Sequence, residues 1–201
     1  MSSHSPWFIL VGGINGAGKS TFAQGRASIQ SFSSDVGANL EVINPDLFTK
    51  EIQCLNPRIS LARANIQAAV ACETRVRQII SEGTQSFAIE TVLSTDKYKS
   101  IVESALANGY RVQFVYVMVG SVEEAIKRVK LRVSKGGHNV PKSKIRSRWS
   151  KSLANVRWFW EHSTGAWVFF NGDRVNEPKL IASRDNSGVT FDPDSLSLLL
   201  P

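Results

Sequence analysis

Gly13-Ile14-Asn15-Gly16-Ala17-Gly18-Lys19-Ser20 fills every fixed position of the G-x-x-x-x-G-K-[ST] phosphate-binding (Walker A) loop. Glycines at such spacing let backbone amides approach phosphate oxygens that a side chain would keep away. Lys19 is then expected to place a point charge against the β and γ phosphates, and the Ser20 hydroxyl to be an inner-shell ligand of magnesium. Thr21 is the weaker hydroxyl candidate. Gly13, Asn15, Gly16, Ala17, Gly18, Lys19, Ser20 and Thr21 therefore form the expected site for ATP with Mg2+. The alternative is a glycine-rich turn with a chance lysine. Context opposes it, because the loop needs a buried strand before it and a helix after it. Trp7-Phe8-Ile9-Leu10-Val11 is an unbroken apolar run suited to a parallel strand covered on both faces, and Lys19 to Ser31 can run as a helix.

Transfer of a phosphoryl group also needs a positioned acceptor and positive charge on the oxygens that share the developing negative charge. Asp46 is the candidate base or orienting group, since a carboxylate there can accept a hydrogen bond from an acceptor hydroxyl. Its plainer role would be a turn or helix cap. Glu90 could reach a magnesium-bound water or the acceptor, or merely cap the following turn. Thr91 could assist through its hydroxyl, or bond its own backbone. Arg132, Arg146 and Arg148 are the candidates for planar contacts to phosphate, because arginine keeps its charge and presents a fork. Arg128, one turn before Arg132, is an alternative. His138 suits ordering of the Gly136-Gly137 turn or a phosphate contact better than proton abstraction.

The elements that must position these groups alternate. Leu40 to Ile43 reads as a short strand ended by Asn44-Pro45-Asp46, and Arg58 to Ser81 as a long helix closed by Gly83, with Leu61, Ile66, Val70, Val76 and Ile79 or Ile80 on its buried face. Phe87 to Ile89 is a third strand delivering Glu90 and Thr91 to its end. A helix from Asp96 to Asn108 and a central strand from Val112 to Val119 follow. Ser121 and Glu124 fit an N-terminal capping box for the next helix. A further helix starts near Pro141, with Trp149, Leu153, Val156 and Trp160 spaced for burial; Trp158 and Trp160 read as core rather than as a stacking platform. Trp167 to Phe170 is a fifth strand, ending at Asn171-Gly172-Asp173, and the runs 179–183 and 188–191 suggest a terminal hairpin. This order predicts an α/β, three-layer P-loop kinase fold: a mostly parallel five-stranded sheet with helices on both faces. Ligands sit beyond the carboxyl ends of such strands. The loop, Asp46, Glu90 and the basic segment should therefore face one crevice.

At 201 residues the chain fits one such domain, with a basic lid inside 127–157. No signal-like start or membrane-length apolar run stands out, so a cytoplasmic protein without membrane association is expected. Cys54 and Cys72 suit neither zinc nor a redox pair, and His4, His138 and His162 are too scattered to hold a metal. The formal net charge of +7 is concentrated: eleven basic residues and no acidic ones lie between Lys127 and Arg157, leaving thirteen of the 24 basic residues against 17 acidic ones elsewhere. Such a segment could serve nucleic acid, an acidic membrane or a small polyphosphate. Its place around a Gly-Gly break after the fourth strand favours the polyphosphate, and about half of the eleven are expected merely to face solvent.

Three segments together resemble the zeta toxin family: the phosphate loop, Ile43-Asn44-Pro45-Asp46, and the run from Arg132 through Gly136-Gly137-His138-Asn139-Val140-Pro141 to Ile145-Arg146-Ser147-Arg148-Trp149. The resemblance spans roughly Phe8 to Asn171. It implies a bacterial toxin-like kinase that uses ATP and magnesium to phosphorylate a sugar hydroxyl of UDP-N-acetylglucosamine or a related nucleotide sugar, with an antitoxin as partner. By position it gives Lys19 and Ser20 the phosphate and magnesium roles, Asp46 that of base, Glu90 that of a substrate-side carboxylate, and Arg132 with one of Arg146 or Arg148 those of lid arginines. The stretch 50–64 offers nothing that matches sugar or uracil recognition. Three other functions compete: a kinase of another small hydroxyl compound such as an antibiotic or nucleotide, a non-catalytic nucleotide switch, and a nucleic-acid end kinase. Asp46 and Glu90 argue against the switch, which has little need of acceptor-side carboxylates.

Overall fold

The structure is a computed structural model that describes residues 5–24, 40–172 and 178–192. Strand β1 (Trp7–Gly12) is buried along its whole length, as its unbroken apolar run requires. Successive side chains point to opposite faces of a strand. Phe8 and Leu10 accordingly join one core layer, while Trp7, Ile9 and Val11 join the other. The sheet order is β2-β3-β1-β4-β5-β6-β7, with β2 (Glu41–Ile43), β3 (Phe87–Thr91), β4 (Arg111–Met118) and β5 (Gly165–Phe170) all parallel to β1.

The expected five strands become seven. The terminal hairpin, β6 (Lys179–Asp185) and β7 (Gly188–Phe191), pairs antiparallel with β5 and so extends the same sheet. Its pairing covers the β5 edge, which would otherwise expose a row of unpaired backbone groups.

Helix α1 (Lys19–Gln24) follows the loop; the rest of its predicted span, 25–31, lies outside the described residues, as do His4 and Asp173. Helix α2 (Pro45–Leu55) was not anticipated from the sequence. Its start is nonetheless encoded: Asn44 is the N-cap, its side chain accepting from the Asp46 amide, and Pro45 takes the first helical position, where no amide hydrogen is needed.

Helix α3 (Leu61–Glu82), capped by Ser60 and closed by Gly83, buries Ala64, Ala68, Cys72, Val76, Ile79 and Ile80. The expected face is thus corrected in its first half. Leu61, Ile66 and Val70 are exposed. Small residues at 64 and 68 admit close approach of α2, and a Thr49 to Asn65 hydrogen bond of 3.1 Å ties the two helices.

Helix α4 (Lys97–Ala107) packs on the first core layer, and α5 (Val122–Ser134) on the second through Ala125, Ile126 and Val129. The expected capping by Ser121 is present, its hydroxyl accepting from the Glu124 amide at 3.1 Å. Helix α6 (Lys142–His162) buries Ile145, Ser152 and Phe159, one residue every two turns, and Trp149, Leu153, Val156 and Trp160 flank that ridge half-buried. No helix among the described residues is long and apolar enough to cross a membrane.

Candidate active site

Five parallel strands deliver their carboxyl ends to one side of the sheet, and a cavity of about 520 Å³ opens there. Asn15, Lys19, Ser20, Asp46, Glu90, Thr91, Arg132, His138 and Arg148 all line it. The loop fits tightly below them. Gly13 sits at φ +146°, and a Cβ there would collide with the Val117 carbonyl oxygen of β4, so only glycine is tolerated.

Lys19 is half-buried and donates from Nζ to the Ile14 carbonyl at 3.2 Å, folding back over its own loop. Loss of solvent around its ammonium pushes its pKa down to about 8; Glu90 and Asp46 pull it upward, while Arg132 and Arg148 push it further down. The same lysine thus feels both carboxylates and both guanidinium groups.

Register explains how Glu90 reaches the loop. Val11 pairs with Glu90 and Gly12 with Thr91, so the carboxylate stands beside the strand that feeds the loop. Ser20 Oγ donates to Glu90 Oε1 at 2.7 Å, and Asn44 Nδ2 donates to Glu90 Oε2 at 2.8 Å. Asn44 Oδ1 in turn accepts from the Asp46 amide at 2.9 Å. One asparagine therefore connects the Glu90 carboxylate to the helical turn that bears Asp46. Sequence reasoning missed Asn44 as a site residue, although the Asn-Pro-Asp start of a helix was the available signal. Thr91 accepts from the Leu93 amide at 3.1 Å while also lining the cavity. Thr21 is exposed on α1 and lies off the cavity wall.

The arginines divide. Arg132, in the last turn of α5, donates to the His138 carbonyl at 2.7 Å, and its own carbonyl accepts from the Gly137 amide at 2.9 Å, so the Gly-Gly turn wraps around it. Arg148 donates to Asn15 Oδ1 at 3.1 Å, tying α6 to the loop. Arg146 is not brought to the cavity; it pairs with Glu123 at 2.7 Å on the outer surface. Two residues along a helix are about 200° apart, so Arg146 and Arg148 cannot share a face. Arg128 pairs with Glu124 and donates to the Asn171 carbonyl oxygen at 2.8 Å, beneath the loop.

Ser20 Oγ and Glu90 offer hard oxygen atoms side by side at the mouth of the loop. This donor set suits Mg2+ held together with phosphate and water better than an all-protein cage. Among the described residues no cluster of three or more His, Cys, Asp or Glu side chains could hold an ion by itself.

The Zeta toxin family model matches residues 1–186. The chain belongs to the Zeta toxin family. A relative from Haemophilus influenzae, an uncharacterized protein, is 30% identical over 141 residues, which is 70% of this chain and 91% of that one. Among solved structures, AvrRxo1-ORF1:-ORF2 with ATP superposes with a TM-score of 0.76 at 16% identity, covering 98% of this chain and 63% of its own. This chain therefore spans less than two thirds of that protein's length. A structure from the PezAT chromosomal toxin-antitoxin system of Streptococcus pneumoniae gives a TM-score of 0.66 at 22% identity, with 99% of this chain and 79% of that chain covered. At these identities the two superpositions establish the fold. Zeta toxin family membership and the P-loop kinase fold agree with what the loop, the Asn-Pro-Asp turn and the Gly-Gly-His segment imply.

The Asn44 link makes a separable prediction. Asn44→Ala should lower the melting temperature by a few degrees, since losing an N-cap costs about 1 kcal/mol, and should slow turnover about tenfold by releasing Glu90. Asn44→Ser keeps a capping hydroxyl but is too short to hold Glu90. Thermal unfolding should recover in the serine variant while turnover does not.

Proposed function

We propose that this chain is an ATP- and magnesium-dependent small-molecule kinase of the cytoplasm, transferring the γ-phosphoryl group to a hydroxyl of a nucleotide sugar such as UDP-N-acetylglucosamine. The observation that carries the reading is that Asn44 holds both the Glu90 carboxylate and the backbone amide of Asp46, setting two acids in the cavity that Lys19, Arg132 and Arg148 also line. A module that only bound nucleotide would need the loop and the cations, not two acids in the same cavity.

In this reading Lys19 and the loop amides hold the β and γ phosphates. Arg132 and Arg148 oppose the charge that develops on the transferred group. Asp46 accepts the proton of the acceptor hydroxyl as its oxygen bonds to phosphorus and the bond to the β-phosphate oxygen breaks, leaving ADP. Ser20 and Glu90 would hold magnesium, which would neutralise phosphate charge. Segment 127–157 acts as a lid, and Asn65, Lys97, Tyr98 and Lys144 also line the cavity, adding polar and cationic groups that suit an acceptor which itself carries phosphate. The structural neighbour from the PezAT chromosomal toxin-antitoxin system supports an antitoxin as partner.

The test is phosphate transfer from labelled ATP with magnesium to a panel of nucleotide sugars, with antibiotics, nucleotides and an oligonucleotide beside them. Labelling of a nucleotide sugar is the expected result. Labelling of none of that group removes the nucleotide-sugar assignment, and labelling of the oligonucleotide would replace it with an end kinase.

Binding should also depend on pH. With Lys19 at about 8 in the free protein, its ammonium is charged below that pH and is lost above it. Phosphate stabilises the charged form, so affinity for ATP should be constant below pH 8 and fall by up to about tenfold per pH unit above it. Calorimetric titration across pH 6.5 to about 9.5 reads this directly. A Lys19→Met control should give a flat profile.

A further inference from the structure

We infer that Asn171, at the end of β5, is a positioning residue that latches the phosphate loop in its binding shape. The inference deepens the proposed phosphate-binding reading and rests on it. Asn171 is 154 positions from the residue it holds: its Nδ2 donates to the Ala17 carbonyl oxygen at 2.8 Å, in the middle of the loop. Its own backbone is fixed on both sides. The Asn171 amide donates to the Met118 carbonyl at the end of β4 at 2.8 Å, and the Asn171 carbonyl accepts from Arg128 at 2.8 Å.

Arg128 is in turn paired with Glu124, whose other carboxylate oxygen accepts from the Gly120 amide at 3.2 Å. A continuous set of polar contacts thus runs from the start of α5 through Arg128 and Asn171 into the loop. The loop has been shaped to accept the latch, because a Cβ on Gly18 would collide with Asn171 Nδ2. Gly18 also stands at φ +94°, a backbone conformation that the carbonyl at Ala17 shares in setting.

The chemical consequence concerns the amides. A peptide group has one orientation, so holding the Ala17 carbonyl toward Asn171 fixes the direction of the Gly18 amide, bonded to that same carbonyl carbon. With the carbonyl turned to β5, the Gly18 N–H is turned the other way. Losing the latch lets this peptide rotate and spoils the converging amides on which a phosphate depends. Because α5 also carries Arg132, the same contacts join the seat of that arginine to the loop.

The experiment compares ATP with inorganic tripolyphosphate, which shares the phosphates and lacks the base. Wild-type protein should bind both; failure to bind either would overturn the phosphate-loop reading itself, and the latch with it. Asn171→Leu keeps the volume and removes the donor, and should weaken both ligands alike by about tenfold, the scale of one lost hydrogen bond. In turnover the KM for ATP should rise by that factor, with kcat and the acceptor KM within about twofold of wild type. Arg128→Gln releases the other end and should move both ligands in the same direction by a smaller factor. If Asn171→Leu weakens ATP and leaves tripolyphosphate binding intact, Asn171 reads the base and the latch is wrong. If both ligands bind as in wild type, the latch is equally wrong. Should the leucine variant fail to fold, Asn171→Ser, which shortens the side chain beyond reach of Ala17, gives the same comparison.

Discussion

Asp46→Asn is expected to lower kcat by about 10²- to 10⁴-fold, the range general base catalysis contributes, while ATP binding changes by less than about twofold. The asparagine is nearly isosteric, and nothing that shapes the turn depends on the Asp46 carboxylate. Asn44 holds the Asp46 backbone amide, Pro45 begins the helix, and Thr49 closes the first turn onto the Pro45 carbonyl at 2.9 Å. The helix should therefore form as before, and the melting temperature should stay within a degree or two of wild type. What is lost is the ability to take a proton from the acceptor hydroxyl. Single-turnover transfer to whichever acceptor the panel identifies measures the chemical step alone. Full turnover by Asp46→Asn would show that Asp46 orients or caps and that another group removes the proton.

How far the sequence disclosed this arrangement depended on the range of the interactions concerned. The loop was legible because its signal is local: glycine spacing, one lysine and a buried strand in front. Strand β1 alternates its side chains between two core layers as its apolar run required, and the Ser121 cap of α5 is a contact between residues three apart. The face of α3 was misjudged in its first half because burial there follows size rather than hydrophobicity. Ala64 and Ala68 are covered, whereas the larger Ile66 and Val70 are exposed. Arg146 and Arg148 could not be told apart before the rotation of α6 was known, and that rotation is set by Ile145, Ser152 and Phe159 in the core. Asn44 shows in the sequence only as the start of a helix, and Asn171 carries no pattern at all. Each acts through a single side chain on a residue 46 or 154 positions distant, and only the parallel register of the sheet brings them together.

Lys19→Met should abolish productive nucleotide use, with kcat/KM falling by about 10³-fold, yet yield a protein more stable than the wild type in the absence of ligand. Both effects have one cause. The ammonium sits half-buried with two guanidinium groups near it, and its pKa of about 8, against an ordinary 10.5, means that folding disfavours its charged form. The sign follows from linkage. In the unfolded chain the lysine holds its proton up to about pH 10.5, while in the folded protein it releases it near 8, so folding carries a penalty below pH 8 that fades between 8 and 10.5. At neutral pH that penalty is on the order of 3 kcal/mol, with the attraction of Glu90 and Asp46 already included. Methionine fills a similar volume without a charge to desolvate. The melting temperature of Lys19→Met should then exceed that of wild type by a few degrees at pH 7, and the difference should shrink when the scan is repeated at pH 9.5. Saturating ATP should reverse the order, because the phosphates supply a counter-charge to the ammonium and stabilise the lysine form far more than the methionine form. A destabilised Lys19→Met protein at pH 7 would mean that the ammonium is already satisfied without ligand. The cavity would then lack the unmet positive potential on which triphosphate capture depends.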